Sequence, residues 1–280
     1  MGEIIACANQ KGGVGKTTTV VSLASYLALD GRRVLLVDMD PQGNATSGLG
    51  VDKDAVPRSI YDVLLGEHDP KDAVQATSID GLTVLPSNRS LAGAEVELVP
   101  SDRRERRLKR VLDGIHDAYD YVFLDCPPSL GLLTVNALTA ADSVLIPLQC
   151  EYYALEGLGQ LMATVDLIRA HLNPALTLKG VVLTMHDGRT SLSADVTNEV
   201  RRHLGAQVFE TVVPRSVRLA EAPSYGEPIA TYSPSSRGAQ AYQALAAELL
   251  VRGGHAPGAS LADARARYRA PRSGHEGEGR

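Results

Sequence analysis

Residues 10–17, QKGGVGKT, place three glycines and two lysines inside eight positions, between an apolar run and a helical pattern. Glycines there let the backbone curl until successive N–H groups converge on an anion. The helix beginning near Lys16 adds the positive end of its dipole, roughly half an elementary charge. The spacing assigns phosphate contact to Gly12, Gly13, Val14, Gly15, Lys16, Thr17 and Thr18. Lys16 reaches the β- and γ-phosphates, the Thr17 hydroxyl suits Mg²⁺, and Thr18 donates to the α-phosphate. The usual pattern G-x-x-x-x-G-K-[ST] fails at its first position, where Gln10 stands. Lys11 is a second cation that the loop's own nucleotide does not need.

Acids recur where such a loop needs them. YVFLDCPP is an apolar run ending in Asp125, and VLLVDMDPQGN ends another run with Asp38 and Asp40. A carboxylate at a strand's carboxyl end, beside a phosphate loop, can hold Mg²⁺ through water. If these strands are neighbours, Asp40 orients the attacking water. Asp38 then either supports the metal with Thr17 and Asp125 or caps a turn.

Positioning these groups falls to short apolar runs at 3–9, 33–39, 81–87, 119–126, 143–149, 178–184 and 207–213. Most are continuous rather than alternating, as strands covered on both faces are. Helical patterns fall at 16–30, 102–118, 154–173, 191–204 and 235–250. Such alternation predicts an α/β fold: a doubly wound, mostly parallel sheet with helices on both faces, of the P-loop NTPase type. Residues 1–251 form one ATPase domain in this reading. Residues 252–280, rich in Gly, Pro, Arg and Ala, form a disordered tail with at most a weak helical turn near 260–269.

Composition narrows the classes. A net charge of -5 gives no overall signal for nucleic acid, so any DNA contact must come from clustered arginines. Cys7, Cys126 and Cys150 are few and far apart, which predicts buried, reduced thiols in a cytoplasmic protein. No apolar run reaches transmembrane length.

The ordered set KGGVGKTT, VDMDPQGN and DCPPS resembles the deviant Walker-A ATPases of the ParA/MinD superfamily. NATSGLG, LAGAEVELVP, QCEYYALEGL and VVPRSVRLAEAPSYGEPI look like the small chromosome-partitioning ParA proteins called Soj, over about residues 2–250. The resemblance implies an ATP- and Mg²⁺-dependent ATPase whose protomers close face to face as a homodimer. Lys11 then serves the other protomer's phosphates, and Lys11, Lys16 and Asp40 carry catalysis. It also implies that Pro214 lines the adenine and that a ParB-type centromere-binding protein stimulates hydrolysis.

What the dimer would act on divides the superfamily. An interfacial membrane helix needs a broad apolar face, and SLADARARYRA offers only Leu261 and Tyr268 as large anchors. The membrane-associated positioning ATPases of the MinD type are therefore the alternative, not the choice. Arg189, Arg201, Arg202, Arg215 and Arg218 fall in two loops and one helix with few acids. By resemblance Arg189 and Arg218 contact double-stranded DNA without sequence preference, which implies a nucleoid-associated protein. The run DRRERRLKR at 102–110 mixes both signs and reads as a solvated helix face.

Overall fold

The computed structural model describes residues 2–151 and 154–268. Its single sheet comprises β1 (Glu3–Cys7), β2 (Val34–Asp38), β3 (Gln75–Ala76), β4 (Leu82–Leu85), β5 (Tyr121–Asp125), β6 (Ser143–Gln149), β7 (Thr177–His186) and β8 (Val208–Pro214). The spatial order is β3-β4-β2-β5-β1-β6-β7-β8, and every pairing is parallel except that of β3 with β4. β1 sits between β5 and β6, the point where the chain changes its direction of winding. Ligands of open α/β sheets lie at the carboxyl ends of strands at such a point.

Alternate strand residues feed two buried layers. Leu35, Val37, Val122, Leu124, Ile146 and Leu183 face one side, against helices Arg107–Asp113, Leu132–Ala140, Ala154–His171 and Ser191–Leu204. Ile5, Leu36, Phe123, Leu145, Val182 and Phe209 face the other, against helices Lys16–Leu29 and Arg237–Arg252. Helices thus cover both faces, which explains the continuous apolar runs.

The predicted helix over 102–118 is broken. It resolves into a 3₁₀ turn at Arg104–Arg106, a helix at Arg107–Asp113 and a second 3₁₀ turn at His116–Ala118. Arg103 at φ 51° interrupts the first part, because a left-handed residue cannot continue a right-handed helix.

The tail expected over 252–280 is ordered in its first half. Arg252 still belongs to the helix before it, and Ala259–Arg267 forms a helix whose Leu261 is buried against the sheet's helical cover. Residues 269–280 lie outside the described residues. Leu261 packs into the core layer, the Gly258 N–H donates to Asp30 (2.9 Å) and Arg32 donates to the Ala256 carbonyl (2.9 Å), while further bonds close the outer margin of β8. Glu248 accepts from the N–H groups of Glu210 and Thr211 (2.8 and 2.9 Å), and Arg252 donates to the carbonyls of Ala206 and Val208 (3.0 and 2.6 Å). Arg201 donates to the Glu210 carbonyl, and the Tyr268 hydroxyl meets both the N–H and the carbonyl of Val212. Side chains do here what a ninth strand would do, which satisfies backbone groups that an edge otherwise exposes.

Candidate functional site

The loop after β1 is held from two sides. The Asn9 amide donates to the Pro147 carbonyl on β6 (2.7 Å), and its oxygen accepts from the Lys11 N–H (3.0 Å). The Thr184 hydroxyl on β7 donates to the Val14 carbonyl (2.8 Å). Between these ties Gly13 and Gly15 adopt φ of 74° and 90°, a conformation that side chains resist. No side chain caps the helix that starts at Lys16, so its first N–H groups keep their hydrogen-bonding capacity for a ligand.

The two lysines part company. Lys16 is buried and its ammonium folds back into the loop, donating to the Lys11 carbonyl at 3.2 Å. Lys11 is exposed and its ammonium points away, to Glu151 Oε2 at 2.6 Å. Gly12 is exposed too; a Cβ there would meet nothing nearer than Pro128 Cβ at 3.8 Å. Nothing within one protomer demands glycine at that position for lack of room.

β2 and β5 are neighbours, as the acids require, with Asp38 in register with Asp125. Asp125 is fully buried, and among the described residues neither carboxylate oxygen accepts a well-formed hydrogen bond, although the Thr17 hydroxyl lies close enough to act on it. Burial and the neighbouring Asp38 push its pKa well up, against the opposing pull of the Thr17 hydroxyl and Lys16. A buried carboxylate without a partner is costly unless a cation completes it. The arrangement of Asp125, Thr17 and Lys16 fits a hard cation with phosphate oxygens, since oxygen donors suit Mg²⁺.

Asp38 is already engaged. Its carboxylate accepts from the Thr46 N–H and hydroxyl (2.8 and 2.7 Å) and from the Asp40 N–H (3.1 Å). Burial raises its pKa to about 6 against these bonds. The three donors on Asp38 fit the turn-capping alternative of the two tasks open to it. It organises the stretch that carries Asp40. Asp40 Oδ1 accepts from the Gln42 N–H (2.9 Å), and its carbonyl accepts from the Ser87 hydroxyl (2.7 Å). Among the described residues no protein donor reaches its Oδ2. Asn9, Thr46, Ser87 and Thr184 escaped the sequence reading because none belongs to a spaced pattern; each acts through a long-range tie.

Beside Thr17 and Thr18 opens a cavity of about 480 Å³, walled by Val21 and Ser22, by Ser47 and Lys53, and by Leu219 and Pro223. Pro214 is half-buried at the end of β8, in register with His186, and does not line that cavity. The Arg215 N–H donates to the His186 carbonyl (3.0 Å), so the segments carrying Arg189 and Arg218 leave the sheet side by side. Both arginines are exposed. All three cysteines are free and buried, as expected. No helix among the described residues is long and apolar enough to cross a membrane.

Comparison with known proteins places these features among relatives. A family model described as an AAA domain matches residues 2–178. The sporulation initiation inhibitor protein Soj of Bacillus subtilis is 58% identical over 253 residues, covering 90% of this chain and 100% of that protein. The chromosome partitioning protein ParA of Myxococcus xanthus is 54% identical over 252 residues, covering 90% and 89%. Among solved structures, one named as cobyrinic acid a,c-diamide synthase of Mycobacterium smegmatis, with bound ADP and magnesium, superposes with a TM-score of 0.80. It is 43% identical and covers 91% of this chain and 96% of that one.

Proposed function

The chain belongs to the ParA family of chromosome-partitioning ATPases, with ATP and Mg²⁺ as its ligands, and from that premise we propose that it works as an ATP-switched dimer that holds DNA regardless of sequence. The observation that carries the reading is the divergence of the two loop lysines. Lys16 serves its own phosphate cradle. Lys11 projects from the loop rim, where only a second protomer closing on that face brings phosphates within its reach.

In this mechanism the N–H groups of residues 12–18 and the Lys16 ammonium bind the phosphates, and Pro214, outside the cavity beside Thr17, is given to the adenine by the family resemblance alone. Thr17 and Asp125 hold Mg²⁺, which supplies charge against the phosphate oxygens. Asp38 fixes the turn that carries Asp40, and Asp40 Oδ2 holds the attacking water. Each protomer's Lys11 adds its charge to the other's nucleotide. Phosphoryl transfer is mostly positioning and charge compensation, so a protomer alone lacks orders of magnitude in rate. Hydrolysis, stimulated by a ParB-type centromere-binding protein, returns the dimer to monomers that leave the nucleoid.

Arg189 and Arg218 lie on adjoining segments, so a dimer presents two such pairs to one duplex and gains affinity by multivalency. A MinD-like membrane mode would need free apolar anchors at the C-terminus. Leu261 is buried and Tyr268 is bound to β8, which supports DNA over membrane. The name carried by the Mycobacterium smegmatis structure is set aside in favour of the partition activity named for the curated relatives of higher identity.

Sedimentation with and without ATP and with a DNA duplex, at two salt concentrations, tests the proposal. The expected outcome is an ATP-dependent dimer that co-sediments with DNA and releases it steeply as salt rises. A monomer in ATP, or a dimer indifferent to DNA, overturns it.

A further inference from the structure

The proposed DNA-binding arginines do not stand free. Arg189 is clamped by Asp187, with Nε at 2.9 Å from Oδ1 and Nη2 at 2.7 Å from Oδ2. The Arg189 N–H also donates to Asp187 Oδ1 (3.1 Å), so a tight turn fixes the acid under the guanidinium. Arg218 Nη1 lies 2.9 Å from Glu221 Oε2, and the Tyr232 hydroxyl donates to that same oxygen at 3.3 Å. On the helix between these segments, Arg202 pairs with Glu199 at 3.0 Å, while Arg201 is turned to the Glu210 carbonyl. Among the described residues no acid pairs with Arg201 or Arg215. The five arginines therefore come with three acids of their own, and each arginine assigned to DNA is held by one of them.

We infer that Asp187 and Glu221 are built-in counterions that compete with DNA phosphates for Arg189 and Arg218 and so lower the affinity of each protomer's patch for DNA. This rests on the DNA reading above and adds a reason for its dependence on the dimer. A phosphate must displace a carboxylate from each arginine before contact is made. One patch gains little from that exchange, whereas two linked patches gain enough to hold the duplex. Asp187 stays ionised near neutrality, because the Arg189 guanidinium holds its carboxyl well below the usual carboxylate range. The pairs are solvent-exposed, so each is weak and screened by salt. They tune affinity without abolishing it.

The test is equilibrium binding of the full chain, with ATP, to a random-sequence DNA duplex at low and high salt. The variants are Asp187→Asn, which keeps an oxygen for the turn, and Glu221→Gln. Asp117→Asn is the control; it removes one charge from an exposed acid beside His116 at the opposite end of the sheet. Each acid variant should bind DNA about two- to fivefold more tightly at low salt. The gain should fade at high salt, where the competing pair is already screened. In an Arg189→Ala background, Asp187→Asn should bring no gain. Equal gain in the Asp117 control, a gain that survives high salt, or no gain in either acid variant overturns the inference. If the wild type itself ignores DNA, the DNA reading falls and takes this inference with it. If the wild type binds and the acid variants bind no tighter, the inference alone falls.

Discussion

At the scale of single residues, the site is a set of charges whose partners are incomplete or exchangeable. Gly12 has open space around it within the protomer, so Gly12→Val should fold and bind ATP as the wild type does. It should fail to form the ATP dimer in sedimentation, because the added side chain meets the closing partner. Among the described residues Asp125 accepts no well-formed hydrogen bond in its buried place. Asp125→Asn should therefore unfold at no lower temperature than the wild type, measured by calorimetry without ligand. The same variant should lose Mg²⁺-dependent hydrolysis by about a hundredfold or more, a loss typical of removing a key electrostatic group. The types and spacing of Lys11, Lys16, Thr17, Asp40 and Asp125 made them legible in the sequence. Asp38 was legible as an acid at a strand end, with two tasks left open between metal and turn. The Thr46 donors that fill it come from a five-residue helix, Asn44–Gly48, too short to show a periodicity.

At the scale of elements, β7 is one of two strands, with β6, that tie the phosphate loop to the rest of the sheet. Its Thr184 hydroxyl holds the Val14 carbonyl, and five residues later the same strand's continuation presents Arg189. Thr184→Val keeps the shape and strands the carbonyl, at a cost of about 1–3 kcal/mol in chemical unfolding. ATP affinity should fall with it, as the loop loses one of its two ties. Strands and long helices were readable because buried parallel strands are continuous apolar runs and because helices such as Ser191–Leu204 keep a clear stripe. What escaped was short or contextual. β3 has two residues, and the helices at Ile60–Leu65, Pro70–Ala73 and Leu91–Glu97 are too short to show a helical period.

At the scale of the whole molecule, a small set of side chains from the C-terminal region completes the sheet. Glu248 is almost wholly buried and serves two backbone N–H groups and Arg252 at once. Glu248→Ala should cost about 3–5 kcal/mol in chemical unfolding, the loss expected when one member of a buried ion pair is removed. The buried thiols offer a gauge of global opening. Burial raises the pKa of all three, so native protein should resist an aromatic disulfide reagent until denaturant exposes them together. The order of residues 252–268 was not legible because their composition is that of a disordered segment, and their reasons to dock are contextual: a pocket for Leu261, Asp30 for the Gly258 N–H, and the uncovered Val212 groups of β8 for Tyr268. That dependence has a temporal side. Tyr268 leaves the ribosome after every strand of the sheet, so a nascent chain can fold its strands and still show the bare Val212 N–H and carbonyl to other chains growing on the same message. Pauses in synthesis before that residue should promote intermolecular strand pairing and raise the insoluble fraction of the product.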